Sequence, residues 1–308
     1  HGLITIIFSF FISLKSVLEY SFDCSFTSSI EFESVVNIIY KSKCINWIFV
    51  ASNLSKNLIS DKTRFIIFLL KFFCQSKSIK IIACDEVTKN AHIKLGFNIN
   101  KISVLYFGIP IRDSLIPSYG NDIINISCVA RFDPQKDHKT LIEAFNMVKT
   151  KRSKFKLYLI GRGINKENSY LTNLINKSNL ILNEDIYLCG EHNNIEEFLS
   201  KINLNILTSV GEGLPLSLLE CMSLGIPCIS TNVGETKKII SNHGWLVEKS
   251  NLKNITENII EAINEWENNN TLWQSRRLSG YHHVKLNFSI EGMVTNFEKI
   301  WLKKNLNN

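Results

Sequence analysis

The stretch Ser209-Val-Gly-Glu-Gly-Leu-Pro-Leu-Ser-Leu-Leu-Glu-Cys-Met-Ser-Leu-Gly-Ile-Pro-Cys-Ile-Ser-Thr231 decides the fold. Before it, Leu204 to Leu207 is a mostly apolar run that ends at Thr208, as a buried strand does where it meets a glycine loop. Pro215 stands where a first helical residue is tolerated, because its missing N–H would be unpaired there anyway. Leu216 to Leu224 carries strong helix formers, Gly225 ends that helix, and Ile226 to Ser230 reads as the next strand. The loop Gly211 to Leu214 therefore lies at the carboxyl end of a parallel strand, with unpaired N–H groups at a helix N-terminus. Such a place binds anions, phosphates above all.

Two carboxylates flank that loop. Glu212 is in the loop itself, and Glu220, eight residues on, is about one turn inside the helix. A site built only for phosphate gains nothing from two negative charges, so the pair points to a ligand rich in hydroxyls. A nucleoside diphosphate sugar meets both requirements, with phosphates on N–H groups and hydroxyls on carboxylates. The plainer reading is that both are helix N-terminal acids favoured by the macrodipole. Upstream, Val129-Ala-Arg-Phe-Asp-Pro-Gln-Lys136 follows another strand and brings Arg131 and Lys136 to the same crevice. Cations there stabilise the charge that develops on a departing phosphate. Both are expected to be solvated and to matter little for folding.

Outward from these segments, strands alternate with helices: Ile124–Ala130, Lys139–Thr150, Phe155–Ile160, Tyr170–Ser178, Ile186–Cys189, Ile195–Lys201, Leu204–Leu207, then a short helix after Gly234, Trp245–Val247 and Leu252–Trp266. Glycines such as Gly161 and Gly190 close several strands, the pattern of a doubly wound parallel sheet. A last amphipathic helix runs over roughly 289 to 304, with Met293, Val294, Phe297, Ile300 and Trp301 on one stripe. The first half reads as a second α/β layer: helices Leu3–Leu14 and Thr27–Tyr40, a strand Trp47–Ala51 followed by Ser52-Asn53, a strand Ile79–Ala83, a helix Asp85–Leu95 and a strand Lys101–Tyr106. Lys62 to Lys77, rich in Phe, Ile and Leu, reads as a core helix, or as a segment lying on a membrane or holding a lipid-linked acceptor. The linker falls between 108 and 122.

The 308 residues are enough for two ordinary domains. With 45% hydrophobic and 20% charged residues the chain is soluble and globular, and its net charge of +7 is too dispersed for nucleic-acid binding. Its eight cysteines show no CxxC pair or metal spacing, so reduced, buried thiols in a cytoplasmic protein are expected. The early apolar run is too short to span a bilayer and lacks a basic leader. The chain begins at His1 rather than Met, and an N-terminal half that has lost its first strands is expected.

The spacing of Glu212 and Glu220 matches the E-x7-E motif of the retaining family-four glycosyltransferases, and Arg131 with Lys136 matches their R-x4-K. The frame VARFDPQKDHKTLIEAF (129–145), LYLIGRG (157–163), EGLPLSLLECMSLGIPCISTNVGE (212–235) and GWLVEKSN (244–251) resembles that family, in its bacterial polysaccharide or O-antigen branch. ACDEVTKNAHIKLGFNINKISVLYFGIPIRD (83–113) resembles, more weakly, the end of its N-terminal domain. The resemblance implies an α/β GT-B fold: two Rossmann-like domains whose parallel sheets face a cleft, the N-terminal one incomplete and without the family's glycine-rich loop. The expected boundaries are 1–115 for the acceptor-side domain, 116–287 for the nucleotide-sugar domain, and 288–308 for a helix crossing back.

Carried over, Arg131 and Lys136 would hold the diphosphate, Glu212 the hydroxyls of the transferred sugar, and Glu220 the ribose. N–H groups from Gly213 through Leu214 and Pro215 to Leu216 would hold the phosphates, and Gly161 and Gly190 would border the nucleotide. The implied donor is a UDP- or GDP-sugar and the acceptor a glycan or polyprenyl-linked hydroxyl, with no cofactor, no metal and no nucleic acid. A cytoplasmic protein touching the inner membrane face is implied. The family often has an acceptor-side histidine; His1 is the nearest match, and Ser52-Asn53 stands where another is expected. Two other classes were weighed. A catalytically silent GT-B remnant or partner subunit would bind nucleotide without transfer, and a nicotinamide oxidoreductase would need a G-x-G-x-x-G that the sequence lacks.

Overall fold

The computed structural model describes residues 26–27, 46–50, 79–116, 122–152 and 154–302. The helices expected over Leu3–Leu14 and Lys62–Lys77 lie outside the described residues, as do His1, Ala51 and Ser52-Asn53. Of the helix expected from Thr27, only Thr27 is described, and it lies in a strand. Contacts divide the chain into two units, His1–Phe107 with Thr295–Asn308, and Gly108–Val294.

In the first unit β1 (Phe26–Thr27), β2 (Asn46–Val50), β3 (Ile79–Ala83) and β4 (Ile102–Val104) form a parallel sheet in that order. Between β3 and β4 runs α1 (Glu86–Lys94), which starts where the buried Asp85 carboxylate accepts the Thr88 N–H at 2.5 Å. The strand expected over Lys101–Tyr106 is shorter because Ile99–Lys101 turns as a 3-10 helix, capped by Asn98.

The second unit alternates strictly: β5 (Ile124–Val129), α2 (His138–Lys149), β6 (Phe155–Ile160), α3 (Ser169–Asn176), β7 (Ile186–Leu188), α4 (Ile195–Leu199), β8 (Leu204–Leu207), α5 (Leu216–Ser223), β9 (Cys228–Thr231), α6 (Thr236–Ile240), β10 (Trp245–Val247) and α7 (Leu252–Asn268). Two more helices follow, α8 (Asn270–Phe288) and α9 (Ile290–Leu302). The six strands are all parallel, in the order β10-β9-β8-β5-β6-β7. This is the doubly wound arrangement, in which the chain leaves β5 for one edge and returns at β8 to build toward the other. Ligands bind outside the carboxyl ends of the strands where that reversal occurs.

Burial on both faces explains the central strands. Ile126 and Ser127 of β5, and Ile206 and Leu207 of β8, are neighbours that point to opposite faces, and none is more than 1% exposed. α2 lays Leu141, Ile142, Ala144, Phe145 and Val148 on the sheet, and α7 lays down Ile255, Ile259, Ala262 and Ile263, stripes of helical period. Four polar residues, Asn125, Ser127, Asn203 and Asn205, sit inside this core with partners, and the Asn125 side-chain amide donates to the Lys201 carbonyl at 2.9 Å. Asn203 Oδ1 accepts the Asn125 N–H at 2.9 Å, and Asn205 Oδ1 accepts the Ser127 hydroxyl at 2.9 Å, so β5 and β8 are joined by side chains where their ladder is short.

The 19-residue helix α8 was not expected from the sequence. Its buried stripe is Trp273, Arg277, Gly280, Tyr281, Val284 and Phe288, and the arginine and glycine break the apolar pattern. Arg277 is buried because Nε donates to the Gly225 carbonyl at 2.9 Å and Nη2 to the Ile116 carbonyl at 2.7 Å, which also satisfies the end of α5. Gly280 leaves room for the Met222 side chain. Five cysteines, Cys84, Cys128, Cys189, Cys221 and Cys228, are free thiols, and burial pushes Cys128 up to about 12, so it is inert. Among the described residues no helix is long and apolar enough to cross a membrane.

Candidate functional site

The reversal point lies between the carboxyl ends of β5 and β8, and the two loops that leave those ends are tied together. The Gln135 carbonyl accepts the Val210 N–H at 2.8 Å, and the Gln135 amide donates to the Gly211 carbonyl. The Thr208 hydroxyl reaches the Lys136 and Asp137 carbonyls, each at 3.2 Å. Asp133 turns the first loop by accepting the Gln135 N–H at 2.8 Å, the largest cause holding its carboxyl below the usual range. Asp137 adopts a left-handed conformation (φ 48°) and caps α2 through Thr140.

Helix α5 starts one residue later than expected. Pro215 is the cap, with extended backbone and no side-chain hydrogen bond, and Leu216 is the first helical residue. Proline has no N–H, so the donors at this end are Gly213, Leu214 and Leu216, none of which bonds another described residue. Gly234 (φ 58°) presses on the loop from behind, and any side chain there would collide with the Glu212 and Gly213 carbonyls. The Gly213 carbonyl is held by the Glu235 N–H at 3.0 Å.

Arg131, Gly161 and Glu220 line one cavity of about 400 Å³, together with Val129, Ala130, Ile160, Arg162, Glu191, His192 and Ile195. Gly161 (φ 143°) closes β6 so tightly on β5 that a side chain would run into the Ala130 carbonyl. Its N–H donates to the Gly190 carbonyl at 2.7 Å, so Gly190 stands next to the cavity wall without lining it. Arg131 is half exposed and reaches Asp133 at 3.3 Å through Nε and Nη2. Arg162, Glu191 and His192 were not among the residues expected from the sequence, although Arg162 directly follows Gly161 and Glu191-His192 directly follow Gly190, a signal that could have found them.

Lys136 and Glu212 stand beside the cavity rather than lining it. Lys136 Nζ is 2.6 Å from Glu212 Oε1, with side-chain exposures of 16% and 8%, so this cation is neither free nor well solvated as expected. Ser209 Oγ donates to the same oxygen at 2.5 Å.

Glu220 is half-buried, and that burial raises its carboxyl above the ordinary carboxylate range. A raised acid favours the protonated folded state. Its contribution to stability is complete below the unfolded pKa and is lost as pH rises through the folded one. Glu220→Gln is therefore expected to leave thermal stability at pH 7 unchanged or improved while weakening nucleotide binding by roughly 1.5 to 3 kcal/mol, the worth of a charged hydrogen bond. Binding to the native protein should weaken as pH falls through the raised pKa, and the variant should lose that pH dependence. Calorimetry from pH 4.5 to 8 checks both.

Comparison with known proteins bears on this geometry. The family model described as "Glycosyl transferases group 1" matches residues 118–277, just over half of the chain. Among curated proteins the chain is 27% identical over 175 residues to N-acetyl-alpha-D-glucosaminyl L-malate synthase of Bacillus anthracis, covering 56% of this chain and 44% of that protein. It is 27% identical over 220 residues to the capsular polysaccharide biosynthesis glycosyltransferase CapM of Staphylococcus aureus, covering 65% and 56%. The chain thus spans about half the length of these relatives. Among solved structures, Anabaena Alr3699/HepE in complex with UDP superposes with a TM-score of 0.79 at 16% identity, over 94% of this chain and 82% of that one. The lipopolysaccharide outer core galactosyltransferase WaaB superposes with a TM-score of 0.75 at 18% identity, over 96% and 79%. These structures establish the GT-B fold, and the family match over the sheet that carries the cavity places the chain among the group 1 glycosyl transferases.

Proposed function

We propose that the protein is a retaining glycosyltransferase that moves a sugar from a nucleoside diphosphate sugar to a hydroxyl of a glycan or lipid-linked acceptor. The observation that carries this reading is the grouping, at one reversal point, of the open N–H groups of Gly213, Leu214 and Leu216, the Arg131 guanidinium and the hydroxyl-accepting carboxylates Glu212 and Glu220. The N–H groups and Arg131 neutralise the charge that appears on the leaving diphosphate, Glu220 takes the ribose, and Glu212 takes the transferred sugar. With leaving-group charge held on one face, the acceptor hydroxyl attacks from that same face and no side-chain nucleophile is required.

The donor is a UDP- or GDP-sugar in this reading; UDP is the nucleotide held by the HepE structure. The capsular polysaccharide relative CapM supports a glycan acceptor, and a galactosyltransferase relative whose named acceptor is a GlcNAc-diphosphoundecaprenol supports a polyprenyl-linked one; contact with the cytoplasmic face of the membrane is part of this proposal. No metal or cofactor has a part in the proposed chemistry. The test is a thermal-shift and donor-hydrolysis screen with UDP, GDP and their common sugar conjugates. At a hundred times its dissociation constant a true ligand adds about 2.7 kcal/mol to stability, a clear rise in melting temperature. A chain indifferent to every nucleotide sugar would overturn the proposal.

A further inference from the structure

We propose that Ser209 is a positioning residue that, with Lys136, fixes Glu212 so that its second oxygen can only accept a hydrogen bond from a hydroxyl of the transferred sugar. The inference rests on the donor-binding role given to Glu212 above. Glu212 Oε1 accepts two hydrogen bonds, from Lys136 Nζ at 2.6 Å and from Ser209 Oγ at 2.5 Å. Two donors on one oxygen fill its lone pairs and set the rotation of the carboxylate. Oε2 makes no hydrogen bond among the described residues, yet it is not among the sealed, partnerless polar atoms of this structure, so it remains open to solvent.

Ser209 is well placed to impose that orientation. It is fully buried at the end of β8, and its own carbonyl accepts the Thr231 hydroxyl at 2.6 Å. The Thr231 carbonyl is held in turn by the Thr236 hydroxyl at 2.7 Å. The next residue, Val210, is tied to Gln135. The serine hydroxyl thus stands on backbone anchored from both sides, while Lys136 supplies charge on a flexible stem. A carboxylate oxygen with free lone pairs accepts from hydroxyls and repels other carboxylates, so the sugar position facing Oε2 carries a hydroxyl. A sugar that is deoxy there, or oxidised to an acid there, is disfavoured.

The experiment compares native protein, Ser209→Ala and Ser209→Thr in calorimetry with UDP, UDP-glucose, UDP-galactose, UDP-N-acetylglucosamine and GDP-mannose, and in hydrolysis of whichever sugar nucleotide the native protein accepts. Ser209→Ala is expected to bind free nucleoside diphosphate as the native protein does, and to lose about tenfold to a hundredfold in affinity for the sugar nucleotide or in its hydrolysis, the worth of a hydrogen bond to a charged group. Ser209→Thr, which keeps the hydroxyl, restores most of the loss. A merely structural serine would weaken nucleotide and sugar nucleotide together, and that outcome overturns the inference, as does a Ser209→Ala variant equal to the native protein. Should Ser209→Ala fail to fold, Ser209→Cys fills similar volume with a much weaker donor and must show the same split. If the native protein binds none of the five probes, the donor reading falls and this inference with it.

Discussion

Lys136→Ala is expected to lower sugar transfer or donor hydrolysis by more than about a hundredfold and also to destabilise the fold by roughly 2 kcal/mol. The catalytic loss has two sources. A cation leaves the neighbourhood of the departing diphosphate, and Glu212, held by Lys136 at 2.6 Å, is released to turn away from the sugar. The stability loss arises because the Glu212 side chain is only 8% exposed and would be left with Ser209 as its one remaining donor. Breaking a fully buried pair costs more, and the 16% exposure of Lys136 moderates the figure. Because the two residues act on one carboxylate, Lys136→Ala and Glu212→Gln should be far from additive in a double-mutant cycle. A Lys136→Ala protein with native melting temperature and turnover within tenfold of native would contradict this account.

Arg131→Ala should match that catalytic loss, again on the order of a hundredfold or more, without the loss of stability. Arg131 lines the cavity and is 52% exposed on its side chain, and its contact with Asp133 at 3.3 Å is a surface pair. Such pairs contribute about 1 kcal/mol at most. The variant should therefore melt close to the native protein and bind nucleoside monophosphate much better than it binds diphosphate, relative to native. Equal losses for the two nucleotides would show that Arg131 does not face the second phosphate. Steady-state kinetics with the accepted donor, alongside calorimetry with UMP and UDP, separates the outcomes.

Much of this was legible in the sequence because the strands of a covered parallel sheet read as short, mostly apolar runs bounded by polar or glycine turns. Phe155–Ile160, Leu204–Leu207 and Trp245–Val247 have the bounds expected of them. Arg131, Glu212 and Glu220 were singled out because their spacing along the chain is itself the signal; Arg131 and Glu220 line the cavity, and Glu212 stands beside it. The pairing of Lys136 with Glu212 was not legible, since 76 positions separate them and only the crossing from β5 to β8 brings them together. Pro215 misled by one residue because proline suits a cap as well as a first turn. Helix α8 was hidden by the arginine in its buried stripe, whose partners are carbonyls far away in sequence.

A crystal structure of the protein with UDP would show whether the crevice at the ends of β5 and β8 holds a nucleoside diphosphate. The ribose is expected within hydrogen-bond distance of Glu220, and the pyrophosphate on Arg131 and the N–H groups of Gly213, Leu214 and Leu216. UDP bound elsewhere would contradict that expectation, for example in the aromatic cavity of about 330 Å³ lined by Phe132, His138 and Tyr170, and so would a pyrophosphate that touches neither Arg131 nor the start of α5.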